Sequence, residues 1–72
     1  MSEWISVKDR LPPVGVFVDV RYDVWRYKVK IYTEDGPGAY EGMNEYTNQP
    51  MFGLDVTDED HKEVTHWMAI NG

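Results

Sequence analysis

Cysteine is absent from this chain of 72 residues, which excludes a disulfide and a thiolate metal site. No apolar run approaches the ~18 residues that a membrane-spanning helix needs. The N-terminal segment also lacks the basic and then apolar pattern of a signal peptide. We therefore expect a soluble cytoplasmic protein that folds as a single domain, residues 1–72, and that has no membrane contact and no cofactor.

Basic residues are scarce in the second part of the chain. Residues 32–72 hold nine acidic residues and one basic residue, Lys62, so their net charge is −8, whereas residues 1–31 have a net charge of +2. Such asymmetry is typical of an interaction surface, but a solvated face that keeps a small protein soluble explains it equally well. Charge alone leaves both interpretations open.

A recognisable catalytic motif is also missing. No serine or threonine lies in a nucleophile turn, and no pair of carboxylates stands out as an acid–base pair. Gly36-Pro37-Gly38 has a proline where a phosphate-binding loop needs backbone N–H groups. His61 and His66 lie among acidic residues, but a strand would put their imidazoles on opposite faces. We expect neither an enzyme nor a metal site.

Aromatic residues are plentiful, with three Trp, five Tyr and two Phe. A chain of this length is close to the lower limit at which one core suffices. The aliphatic side chains must therefore join the aromatic ones in a single core. We expect marginal stability, or support from a second copy in a homodimer.

Alternating apolar residues predict short strands. Residues 16–22 form the clearest one, with Val16, Val18, Val20 and Tyr22 on one face. Further strands are predicted at 4–7, 25–32, 51–56 and 63–68. We expect a mostly β fold, with α+β as the alternative, built on one small antiparallel sheet of four to five strands.

Turn-forming residues separate these segments. Asp23 is expected near a turn, and residues 34–38 (Glu-Asp-Gly-Pro-Gly) are a strong turn signal. Residues 39–50 favour a loop or an irregular edge. Thr57 and Asp60 have the spacing of a capping box, which predicts at most one short helical turn.

The predicted strand at residues 25–32 carries a basic stripe. Its core-facing residues are expected to be Trp25, Tyr27, Val29 and Ile31. Its solvent-facing residues are Arg26, Lys28, Lys30 and Tyr32. Three cations beside a tyrosine are suited to binding phosphate or a nucleotide by charge and stacking. The alternative is a solvated face neutralised by neighbouring carboxylates, which the net charge of −6 favours.

The two ends of the chain carry a family resemblance. The segment from Trp4 to Val20 begins Trp-Ile-Ser-Val-Lys-Asp-Arg-Leu-Pro-Pro and continues with a glycine and a valine-rich strand. The segment from Val64 to Met68 reads Val-Thr-His-Trp-Met. Together they resemble the domain-of-unknown-function family number 551, which is common in phages and prophages of bacteria. This chain lacks the Met-Pro-Leu-Pro ending that is usual there.

The resemblance implies a phage or prophage origin, a bacterial host cell and a small β-rich fold, but no activity and no catalytic residue. We expect Trp4 and Trp67 to meet in space, where they would pin the first and last strands around His66. The two tryptophans would then have a structural role, and any function would lie in the charged middle of the chain.

Origin and charge together predict a small phage accessory protein that binds a host protein. The predicted partner-binding residues are Glu34, Asp35, Asp55, Asp58, Glu59, Asp60 and Glu63. Their carboxylates would imitate nucleic-acid phosphates and dock on a basic groove of a host nucleic-acid-binding complex. The most concrete version is an anti-defence, anti-CRISPR-type inhibitor that does not itself bind nucleic acid. The alternatives are a small-molecule or nucleotide-signal binder that uses the basic stripe, and a purely structural dimerising module.

Overall fold

The computed structural model describes residues 3–70, which form one antiparallel sheet of five strands and no helix. The strands are β1 (Ile5–Ser6), β2 (Phe17–Arg26), β3 (Val29–Met43), β4 (Pro50–Leu54) and β5 (His61–Met68). They are arranged in the order β1-β5-β2-β3-β4. The prediction of a mostly β fold with four to five antiparallel strands is confirmed.

Strand β2 lies at the centre of the sheet because its alternate residues are apolar. Val18, Val20, Tyr22 and Val24 are at most 3% exposed and face the same side, which we call the inner face. The predicted faces of this strand are therefore correct. Its bounds are not, because β2 begins after Val16 and continues through Asp23, where a turn was expected.

The turn that ends β2 lies inside the segment predicted as a single strand. Tyr27 and Lys28 form it with φ angles of 52° and 67°, and Arg26 pairs directly with Val29. This two-residue turn puts Arg26 and Val29 on the same face and so shifts the alternation by one residue, but the apolar residues of the sequence stay at odd positions and conceal it. Tyr27, Val29 and Ile31 are 92%, 60% and 42% exposed, and their expected place in the core is wrong.

Strand β3 passes straight through the segment predicted as a turn. Gly36 pairs with Val20 and Gly38 pairs with Val18 across β2. A Cβ at Gly38 would lie 2.9 Å from Leu54 Cδ2, so the missing side chain lets Leu54 reach the core. Gly38 thus allows close packing within a strand, and residues 39–43 belong to β3 as well.

No helical turn forms at residues 57–60, where the sequence predicted at most one. Residues 55–60 are irregular and connect β4 to β5. The Asp60 backbone N–H donates to Asp58 Oδ1 at 3.1 Å, which forms an Asx-type turn. This side-chain acceptor takes the place of the backbone carbonyl that would accept the N–H in a helix.

The first and last strands pair at one edge of the sheet, as expected. In the β1–β5 pair, Ile5 lies opposite Trp67 and Ser6 lies opposite His66. Trp67 is 7% exposed on the inner face, and its Nε1–H donates to the Arg10 carbonyl at 2.8 Å.

The two tryptophan rings do not meet, however. Trp4 lies on the outer face, with the Arg21 guanidinium 4.4 Å from its ring centroid. The two rings therefore lie on opposite faces of the sheet, since Trp67 packs with the inner-face core cluster. His66 lies on the outer face beside Arg21, where its Nδ1 is 2.9 Å from Thr65 Oγ1.

The inner face has no second layer of strands or helices within the described part of the chain. The segment that follows β1 covers it only in part, with Leu11 half-buried and Pro12 buried. Partial cover leaves room for a hollow next to the core.

Candidate functional site: an acidic loop beside an apolar hollow

The inner face contains a hollow of about 550 Å³ between the segment after β1 and the strand β4. We call it the inner hollow. Its apolar lining includes Leu11, Met43, Met51, Phe52, Leu54 and Val64. A hollow of this size is within the range of ligand pockets and also accepts a large apolar side chain of a partner protein. The exposed methionines Met43 and Met51 suit such contacts because their side chains adapt in shape.

Residues 55–60, which we call the acidic loop, do not line the inner hollow but connect two strands that do. Both strands that the loop joins, β4 and β5, contribute to the lining of the hollow. Lys62 explains how so acidic a segment keeps a defined shape. Its side chain is 7% exposed, and its Nζ donates to Asp58 Oδ1 and, at 3.0 Å, to the Asp60 carbonyl.

A second cation holds the same loop from the end of β2. Arg26 donates two parallel hydrogen bonds to Asp60, Nε to Oδ1 at 3.1 Å and Nη2 to Oδ2 at 2.9 Å. Bidentate geometry of this kind fixes both groups in orientation. The hydrogen bonds from Arg26 also hold the pKa of the Asp60 carboxyl below its usual value.

The predicted partner-binding carboxylates divide into two groups. Asp58 and Asp60 hold the loop in place through ion pairs with Lys62 and Arg26, which neutralise their charges. Asp55, Glu59 and Glu63 are exposed, and no hydrogen bond or ion pair within residues 3–70 engages their carboxylates. These three carboxylates remain available to a partner.

Two further predicted residues lie in β3 and already have partners. Glu34 accepts a hydrogen bond from the buried Tyr22 hydroxyl at 2.8 Å. Asp35 accepts two from Arg21, at 2.8 Å and 3.2 Å, which hold the pKa of the Asp35 carboxyl below its usual value. Glu34 and Asp35 therefore join β3 to β2 through their side chains, and they are not part of the acidic loop.

The predicted basic stripe is dispersed. Arg26 ends β2 and binds Asp60, Lys28 is in the turn, and Lys30 begins β3. Lys30 Nζ lies 3.4 Å from Asp23 Oδ1, and Tyr32 pairs with Val24. The four residues do not share one strand face, because the turn at Tyr27 and Lys28 interrupts the segment.

Sequence reasoning missed the role of Lys62 and the inner hollow. Lys62 is the single cation in a run of acidic residues, four positions after Asp58, and that isolation was the available signal. The hollow had none, because it depends on the packing of β4 beside the segment after β1.

No group of three or more His, Cys, Asp or Glu side chains within residues 3–70 is placed to hold a metal ion. None of the described residues belongs to a helix long and apolar enough to cross a membrane.

Fold and site define a small single-sheet β protein with an acidic loop. The family model described as "Protein of unknown function (DUF551)" matches residues 3–71, and the chain belongs to that family. The match includes the charged middle, residues 24–63, which the two terminal segments alone left unassigned. Comparisons with curated proteins and with solved structures each found no match.

Proposed function

We propose that this protein acts without catalysis, by binding a basic surface of another protein through its acidic loop and the adjacent residue Glu63. One observation carries the proposal. The side chain of Lys62, the only Lys or Arg after position 31, is 7% exposed and paired with Asp58. The cation therefore shapes the acidic surface from inside without offering positive charge to a partner.

The inner hollow adds an apolar contact to this surface. Carboxylates at an interface steer encounter and select the partner, whereas buried apolar groups supply most of the affinity. A partner with an apolar side chain would fill the hollow, while its basic residues would meet Asp55 and Glu59 on the adjoining loop and Glu63 on the outer side of β5.

A narrower version concerns the identity of the partner. A loop that presents carboxylates in place of phosphates would compete with nucleic acid for a basic groove. In this version the protein is a phage or prophage accessory protein in the bacterial cytoplasm. It inhibits a defence complex that binds nucleic acid, for example one of the CRISPR–Cas type.

Affinity capture from a bacterial lysate tests the proposal with two matched variants. The first combines Asp55→Ser, Glu59→Ser and Glu63→Ser. The control combines Glu3→Ser, Asp9→Ser and Glu41→Ser, three exposed carboxylates outside the loop, and changes the net charge by the same amount. Asp58 and Asp60 are left intact because they hold the loop together.

We expect the first variant to lose at least about tenfold in recovery of a specific partner, and the control to retain it. Raising the salt concentration should weaken capture by the wild-type protein. Replacing both exposed methionines of the hollow, by Met43→Asp with Met51→Asp, should also reduce recovery. Equal recovery by the loop variant and the control would contradict the proposal.

A further inference from the structure

Strand β3 has an open edge along its first half. It pairs with β2 from Val29 to Ala39, but with β4 only from Gly38 to Met43. No strand within residues 3–70 pairs with the other side of residues 29–37, and residues 29–35 are all exposed. Unpaired backbone groups along an exposed edge are a template for another strand.

Pro37 shows which backbone groups face this edge. It lies opposite Asp19, and because it has no N–H the two cannot be a hydrogen-bonded pair. Its own carbonyl therefore points away from β2. By alternation, the N–H and C=O groups of Asp35 and Thr33 point the same way, to the open edge.

We propose that this edge pairs antiparallel with the same edge of a second copy of the chain, with Thr33 on the two-fold axis. Ile31 is an extra bulge residue, since Val24 pairs with Tyr32 and Trp25 pairs with Lys30. With Ile31 left out of the ladder, the register that centres on Thr33 places Lys30 opposite Asp35 of the second copy.

The charges on this edge are self-complementary in that register. Lys30 of each copy meets Asp35 of the other, so the contact forms twice. On the outer face of each copy, Asp35 is already paired with Arg21, and Lys30 with Asp23. Pairing joins these ion pairs into one row of alternating charges, and opposite charges on facing strands stabilise a sheet.

Apolar exposure and symmetry favour the same arrangement. Val29 and Ile31, 60% and 42% exposed, lie on the open edge and would gain cover from the second copy. Because both copies use the same edge, the assembly closes as a dimer. The bulge at Ile31 and the missing N–H at Pro37 limit the paired segment and discourage longer stacking.

Sedimentation equilibrium of the whole chain tests the dimer by charge exchange. The wild-type protein should dimerise, and Lys30→Glu or Asp35→Lys alone should weaken the dimer at least about tenfold, because each places like charges opposite. An equimolar mixture of the two variants should restore a heterodimer, since each unlike pair then has opposite charges. Circular dichroism of each variant checks its fold.

An independent measurement uses the absence of cysteine in this chain. Two opposed residues of a hydrogen-bonded pair have Cα atoms about 5.5 Å apart, within the disulfide range. Thr33→Cys should therefore form an interchain disulfide under mild oxidation, whereas Lys28→Cys in the turn should not. A wild-type monomer at about 1 mM, a dimer indifferent to both charge changes, or no recovery in the mixture would each overturn the proposal.

Discussion

Lys62 shows at the residue scale how a single side chain organises a surface of opposite charge. The acidic loop would repel itself if its carboxylates were unpaired, yet Asp58 and Asp60 converge on Lys62 and Arg26. Repulsion is reduced inside the loop, while its outer carboxylates stay exposed. An exposed lysine would instead have offset the negative surface charge that the proposed function needs.

Replacing Lys62 should therefore destabilise the protein more than replacing an exposed lysine. Lys62→Met removes the hydrogen bonds to Asp58 and to the Asp60 carbonyl, and we expect the free energy of unfolding to fall by about 1–2 kcal/mol. Lys28→Met, in the exposed turn, should change it by less than about 0.5 kcal/mol. Urea denaturation of both variants measures the difference, and equal effects would show that Lys62 does not hold the loop.

Tyr22 makes stability depend on alkaline pH. Burial first, and then the hydrogen bond to Glu34, raise the pKa of the Tyr22 hydroxyl to about 12, from 10.0 in an exposed tyrosine. The folded state thus holds the proton more tightly, and this contribution is complete below pH 10 and is lost as the pH rises toward 12. Tyr22→Phe should flatten the decline in unfolding free energy over that range. An unchanged decline in the variant would assign the effect to other groups.

Strand β3 determines much of the architecture at the scale of elements, and it is the element that sequence reasoning described least well. Alternation identified β2 because this strand buries every second residue against one face. It also located β5, although a register shift there puts Val64 and Trp67, three positions apart, with the same core cluster. It failed at Tyr27 and Lys28, where the turn contains no glycine or asparagine and the apolar residues of the sequence continue at odd positions although the strand faces shift. It failed again at residues 36–38, where turn-forming residues instead allow β4 to pack closely.

The two glycines of β3 should respond differently to the same substitution. A Cβ at Gly38 would meet Leu54 Cδ2 at 2.9 Å, the Gly53 carbonyl at 3.1 Å and Val20 Cγ2 at 3.2 Å, whereas nothing lies within 4 Å of a Cβ at Gly36. We expect Gly38→Ala to lower the unfolding free energy by about 1–3 kcal/mol. Gly36→Ala should be neutral or raise it by up to about 1 kcal/mol. Equal effects in urea denaturation would argue against a strand through this segment.

The turn between β2 and β3 offers a stabilising substitution. Tyr27 and Lys28 both have positive φ, which costs about 1 kcal/mol or more for residues with a Cβ. Lys28→Gly should therefore raise the unfolding free energy by about 1 kcal/mol. The same glycine at Lys30, inside β3, should lower it. Thermal denaturation that ranks the two variants in the reverse order would place the turn elsewhere.

The candidate site was only partly predictable, for related reasons. The charge count identified the acidic segment, and Asp55, Glu59 and Glu63 keep the place expected of them on the surface. Local sequence does not reveal which carboxylates are paired, because Arg26 reaches Asp60 across 34 positions of the chain. The predicted basic stripe does not form, because residues 25–32 are divided between β2, a turn and β3.

At the scale of the whole molecule, the chain forms one sheet with an incompletely covered inner face and an open edge. Six hydrophobic residues are buried within the described part of the chain, and twelve large hydrophobic residues there are exposed. Small domains without disulfides or metals commonly gain stability from association. The acidic loop, the inner hollow and the open edge of β3 are three distinct surfaces through which such contacts can form.

Recovery of a bound partner by the Asp55→Ser, Glu59→Ser and Glu63→Ser variant, relative to the wild-type protein at equal folded concentration, tests the proposed function most directly. If the exposed carboxylates of the loop and Glu63 form the binding surface, recovery falls at least about tenfold while the unfolding free energy changes by less than about 0.5 kcal/mol. Undiminished recovery by this folded variant would contradict the proposal that the acidic loop is the binding surface.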